Sequence, residues 1–333
     1  MKFKKDILLT GAGFTANFGG LLAREVWSKM LNNPKIDTIP VVKERLKEAF
    51  DFESIYANVR GQDRDVLLEI IIESFTSMDD ALKNNHIGGY RQSGIDVREV
   101  SKLLGSFAGR GGETGFHFTL NQDLFLERQV HIVPLGLPMY QYRDYGQSIQ
   151  SSQIDARQHV TLPDETFIAG FKEKHLSSVG DLCYIKLHGS LGWLSHDGSQ
   201  QMILGTNKLE DLKNSPLLNW YFELFQEAIS QPGARLFVVG YSFRDKHIND
   251  CLTKAIDANG LKIYIISPED PELFKDRMSG NPYPGQPGIS HEVSNDGAKI
   301  WKAVAGYFPY RLKDLYPAQS ETHLAQDLKK ILS

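Results

Sequence analysis

A short apolar run, Ile7-Leu8-Leu9-Thr10, stops at Gly11-Ala12-Gly13-Phe14-Thr15, and the residues that follow, Phe18 to Leu31, carry helical spacing. That is strand, tight loop, helix. Positions 11 and 13 lack a Cβ, so the backbone there can approach a bulky anion while the first N–H groups of the new helix point at it. Ala16 completes the loose dinucleotide pattern. Paired glycines also end strands for steric reasons alone, so this loop by itself leaves phosphate binding and a plain turn both open.

Further along, the second strand of a dehydrogenase, ending in an acidic residue for the adenosine ribose, is missing. Asn32-Asn33-Pro34 breaks the chain and Val41 to Phe50 reads as a helix. Asp63 to Asn84 is apolar on more than one side, as in a buried helix, and Val97 to Phe107 gives another amphipathic helix. Residues 32 to 112 therefore read as a helical insertion. Strand character returns at Gly115 to Leu120 and hands over to a helix through Asn121-Gln122-Asp123, where an Asx residue either caps the helix or meets a ligand at the sheet edge.

Residues 128 to 180 read as a loop-rich insertion whose aromatic side chains either roof a site or pack locally. Leu182 to Leu187 is a strand ending at His188-Gly189, which sets His188 apart from the other histidines. Trp193 to Ile203 reads as a hairpin, Pro216 to Ser230 as a helix, and Arg235 to Val239 as a core strand leading into Gly240-Tyr241-Ser242-Phe243. Leu261 to Ile266 is a further strand ending at Ser267, and Ile300 to Ser333 reads as a helical tail.

With 333 residues there is ample chain for a core, and a formal net charge of −4 gives no general reason to expect direct nucleic-acid binding. The two cysteines, Cys183 and Cys251, cannot build a four-cysteine zinc site and suit a reducing cytoplasm. No run reaches membrane-span length, and Asp6 interrupts any secretory apolar segment. A cytoplasmic protein with no membrane contact is expected.

Four strand-end signals occur in order: Gly11-Ala12-Gly13-Phe14-Thr15 with Gly19, then Thr119-Leu120-Asn121-Gln122-Asp123, then Lys186-Leu187-His188-Gly189, then Val239-Gly240-Tyr241-Ser242. This ordered set resembles the sirtuin family. The closer likeness is to the sirtuin-like domains of bacterial antiphage defence proteins, in which Gly-Tyr-Ser-Phe, here followed by Asp245, His247, Ile248 and Asn249, is a recurring tail. The resemblance implies an α/β fold, a Rossmann-like parallel sheet with helical insertions forming a smaller subdomain. Its sheet core would come from residues 1–31, 113–127 and 181–270 of a single domain, with a helical tail over 300–333.

It also implies an NAD site with no metal. Asn121 and His188 would be catalytic, and Gly11, Ala12, Gly13, Phe14, Thr15, Arg24, Asp123, Gly240, Tyr241, Ser242 and Ser267 would touch the cofactor. Departures narrow the chemistry. The zinc ribbon of the deacylases is absent, Leu120 replaces their glutamine, and Leu22-Ala23-Arg24 retains only the arginine of their Asp-Phe-Arg. The activity implied is NAD hydrolysis to nicotinamide and ADP-ribose in defence. The alternatives are an NAD-sensing module, an ADP-ribosyltransferase or a deacylase. A homo-oligomer and a HerA-type ATPase partner are further implications of the family.

Overall fold

The computed structural model describes residues 2–86, 95, 97–128, 155–175, 182–280, 291–317 and 322–332. Its strands are Lys2–Thr10 (β1), Glu113–Thr119 (β2), Val160–Thr161 (β3), Leu182–Lys186 (β4), Gly189–Leu194 (β5), Gln200–Met202 (β6), Arg235–Val239 (β7), Lys262–Ile266 (β8) and Val304–Phe308 (β9). Six of them form one sheet in the order β4-β2-β1-β7-β8-β9, and every pairing is parallel. Renumbered within that sheet the order is 3-2-1-4-5-6, the doubly wound dinucleotide-binding order, with its reversal between β1 and β7. A small second sheet joins β3, β5 and β6.

Parallel strands must be covered on both faces, which is why β1, β4 and β7 read as continuous apolar runs. Ile7, Leu9, Phe118, Ile185 and Val238 pack on one face, under the helices Pro216–Ile229 and Lys246–Asn259. Leu8, Tyr184, Phe237 and Val239 pack on the other face, under Phe14, Phe18 and the C-terminal helix His323–Leu332. Between β1 and β2 the chain makes the helices Ala23–Leu31, Pro40–Glu48, Phe52–Asn58, Gln62–His86 and Val97–Gly105. Val26, Met30, Leu46, Ile55, Leu67 and Ile70 give most of these helices a core of their own. Among the described residues no helix is long and apolar enough to cross a membrane.

Two sequence expectations fail locally. The helix expected over Phe18 to Leu31 begins only at Ala23, as Ala23–Leu31, and a separate one-turn helix, Ala12–Ala16, precedes it. Gly19 breaks it at φ +99°, and a Cβ on Gly20 would sit 2.7 Å from Thr15 Cγ2. The tail is not wholly helical either. Val304–Phe308 forms the edge strand β9, where Gly306 lies so close to the Tyr264 ring that a Cβ would stand 2.7 Å from it. Of the loop-rich insertion over 128–180, residues 129–154 and 176–180 lie outside the described residues; the described part includes β3 and the helix Glu165–His175.

Candidate functional site

The loops after β1 and β7 close on each other at the strand reversal. Gly11 N–H donates to Val239 O at 3.0 Å and Gly13 N–H to Gly240 O at 2.9 Å, while Phe14 N–H donates to Gly11 O at 2.8 Å. A Cβ on Gly13 would lie 2.7 Å from Gly240 Cα, and one on Gly240, at φ +69°, would lie 2.2 Å from Phe14 N. These glycines therefore serve first to let two loops touch. Three of the amides that would face an anion are already engaged, and Phe14 itself is core; Ala12 is exposed at the turn.

Thr15 carries the contact to the next strand end. Its Oγ1 donates to Asp123 Oδ2 at 3.0 Å and accepts from Asn121 Nδ2 at 2.7 Å. Asp123 Oδ1 accepts from Phe125 N–H at 3.0 Å, so the carboxylate caps the helix Phe125–Arg128 as an Asx residue should. Lys186, at the end of β4, donates to Asp123 O and pairs with Glu127 at 2.7 Å. A second buried pair, Arg128 with Asp79, lies beside it, and Asp79 also accepts from Leu124 N–H at 3.0 Å. Burial raises the carboxyls of Asp123 and Glu127 above the usual range, with Lys186 pulling the other way.

One strand further out, Leu187 N–H donates to Thr119 O at 2.8 Å, so the ends of β2 and β4 stay in register and set Asn121 and His188 on neighbouring strand ends. Gln122 locks the His188 backbone, donating to its carbonyl at 3.3 Å and to Ile203 O at 3.2 Å. Gly189, at φ +72°, turns the chain into β5, and a Cβ there would strike Gln201 O at 1.8 Å. His188 is 4% exposed, and its Nε2 lies 3.0 Å from Nε2 of His247. β4 and β7 are three strand spacings apart, about 14 Å. The two imidazoles meet because the β4 loop and the helix following β7 converge over the edge of β1 and β2.

His247 lies in the first turn of Lys246–Asn259, whose N-cap is Asp245. Tyr241 and Asn249 fix that turn: Tyr241 Oη donates to Asn249 Oδ1 at 3.0 Å and accepts from Asp245 N–H at 3.2 Å. Asn249 Nδ2 in turn holds Phe243 O at 2.8 Å, with Phe243 at φ +56°. Asp245 pairs with Lys208 at 2.5 Å, and Lys208 pairs with Glu53 of the helical insertion at 2.7 Å. Burial alone would lower the Lys208 pKa; Asp245 and Glu53 outweigh it and hold the ammonium above an ordinary lysine. Burial pushes His188 well below its usual pKa and takes His247 to about 4, so both rings are neutral at neutral pH.

Ligand atoms of His188, Asp245 and His247 all lie within 4.8 Å of one another, a donor set with the right chemistry for a divalent ion. Lys208 already neutralises the carboxylate, and the positive end of a 14-residue helix faces the same point, so the surrounding charge opposes a cation.

The remaining expected cofactor residues are spread along the edge. Ser242 is exposed and its carbonyl accepts from Arg277 at 2.9 Å; Tyr241 is buried and tied up internally; the Ser267 hydroxyl accepts from Glu269 N–H at 3.3 Å. Arg24 is exposed and contacts Glu25 at 3.4 Å. The sequence reading gave no chemical role to His247, Lys208 or Glu53. Asp245 and His247 stood among the residues that follow Gly240-Tyr241-Ser242-Phe243, and their spacing at a helix start was the available clue.

No curated protein matches the chain. Residues 118–281 match the family model of the SIR2-like domain, a stretch that holds Asn121, His188, Gly240, Asp245 and His247. On that match and on the 3-2-1-4-5-6 sheet, this chain carries a SIR2-like domain of the sirtuin type, the kind of domain that binds NAD.

Proposed function

We propose that the chain is an NAD glycohydrolase that releases nicotinamide and ADP-ribose, and that it depletes NAD in antiphage defence. The observation that carries this reading is a neutral, buried His188 set beside Asn121 on adjacent strand ends, at the carboxyl edge where a doubly wound sheet takes its ligand. Hydrolysis breaks the bond from the ribose anomeric carbon to nicotinamide, whose nitrogen keeps the electron pair, and forms a new bond from that carbon to a water oxygen. The transition state resembles a ribosyl cation, so the protein has to hold the ribose, position the water and remove its proton. Asn121 spends one N–H on Thr15, leaving its Oδ1 to orient the water. His188 takes the proton and passes it to solvent.

Incubation of the full chain with NAD, with product identification, tests this. Free ADP-ribose and nicotinamide are expected, and Asn121→Ala or His188→Ala lowers turnover by about 10²–10⁴-fold. Equal NAD consumption by wild type and the double variant overturns the site. Label retained on protein would identify a transferase, and binding without cleavage a sensing module. The defence role, and any assembly with itself or with a HerA-type ATPase, calls for the same assay with and without partner and a phage challenge.

A further inference from the structure

We propose that His247 is a positioning residue for His188: its Nε2 accepts a hydrogen bond from His188 Nε2–H and so fixes the tautomer in which Nδ1 is the basic nitrogen offered to substrate. Two neutral imidazoles with Nε2 atoms 3.0 Å apart must consist of one donor and one acceptor. The surrounding charges set the direction. Of the charges acting on the two rings, His247 feels Asp245 most, whereas His188 feels Lys208 most. A shared proton is therefore drawn from His188 toward His247. No hydrogen bond ties down His188 Nδ1 among the described residues, while Gln122 holds the backbone of His188 and Phe222 packs on the His247 ring at 5.8 Å.

When Nδ1 of His188 takes a proton from substrate, the Nε2 proton moves along the same hydrogen bond to His247, and the positive charge comes to rest next to Asp245 rather than next to Lys208. The step is a proton in at one ring and a proton passed to the other, reversed on release. Glu53, through Lys208, keeps Asp245 in place from the helical insertion.

The role in turnover rests on the proposed NAD hydrolysis; the tautomer does not, so the two are tested apart. In the full chain labelled with ¹⁵N-histidine, long-range ¹H–¹⁵N spectra, assigned with His188→Gln and His247→Gln, should show His188 protonated at Nε2. Protonation at Nδ1 overturns the proposal whatever the protein does to NAD. In turnover, His247→Phe should lower kcat by about 10-fold or more with KM for NAD held within about threefold, and His247→Gln, whose amide oxygen can still accept the hydrogen bond from His188 Nε2–H although it cannot take up the proton, should recover part of the loss. A His247→Phe variant that folds and keeps wild-type kcat overturns it. A wild-type protein that cleaves no NAD removes the hydrolase reading, and the spectra still decide the histidine pair.

Discussion

Two polar clusters occupy the same edge of the sheet, and they are built on opposite terms. Around Asp123, charge is paired: Lys186 is 1% and Glu127 0% exposed, and the capping, hydroxyl and ammonium bonds lock a strand end to a helix. Around His188 the groups nearest the edge are neutral, and charge is kept one residue back, on Asp245, Lys208 and Glu53. The first arrangement leaves little for a ligand to bind. The second leaves a basic nitrogen in a pocket of low dielectric, where proton affinity is set by the neighbours. On the proposed function, structural and chemical roles are thus divided between adjacent strand ends.

The sharpest way to break that division is Lys186→Met. Removing the ammonium strands Glu127, whose Oε2 already has no hydrogen-bond partner, and the expected loss is about 3–5 kcal/mol in urea unfolding. Pairing it with Glu127→Met, which removes the buried charge as well, should recover much of that. If Lys186→Met instead unfolds like wild type while losing NAD turnover, the first cluster is the chemical one.

Acid comes next. His117, His188 and His247 are all depressed by burial, His117 to about 3 and His247 to about 4. Below the unfolded value of about 6.5 the unfolded chain binds protons that the folded chain refuses, so stability falls as pH falls from there toward the folded values. Each histidine contributes up to about 1.4 kcal/mol per pH unit in that window. Asp123 and Glu127, raised by burial, act in the opposite sense by holding protons in the fold. The net expectation is a loss of about 1–2 kcal/mol between pH 7 and 5.5, read by urea unfolding at both. A protein no weaker at pH 5.5 would mean that proton uptake by Asp123 and Glu127 offsets the histidines or that one of these imidazoles carries charge in the folded state, and Glu127→Gln, which removes one of those carboxyls, separates the two.

Much of this arrangement could be read from the chain. Apolar runs closed by polar or glycine residues marked β1, β2, β4, β7 and β8, because a parallel strand buried on both faces has a composition that little else shares. β9 escaped because Val304 to Phe308 is short, follows a helix and holds a glycine in its middle. The break at Gly19-Gly20 was visible only as residue types; Gly19 is required by its positive φ, and the clash that requires Gly20 comes from Thr15, folded back by the turn. Within the site, Asn121 and His188 stood out by position, at strand ends. His247 and Lys208 did not, since their partners lie 59 and 155 residues away and pairing across such gaps leaves no local pattern. His188 is buried, so His188→Ala should cost some stability as well as turnover.

The smallest effect, a difference between two ligand-induced shifts, bears on the glycine loops, which were expected to touch the cofactor. Their geometry already has a sufficient cause in the contact between Gly13 and Gly240. Gly240→Ala places a methyl 2.2 Å from Phe14 N at a positive φ, so about 1–3 kcal/mol should be lost from unfolding stability before any ligand is added. The informative comparison is with NAD present. If the loops only brace β1 against β7, saturating NAD shifts the melting temperature of the variant as far as it shifts wild type. If they also cradle the diphosphate, the variant loses part of that shift in addition to its starting deficit, because a ligand stabilises only in proportion to its affinity for the fold.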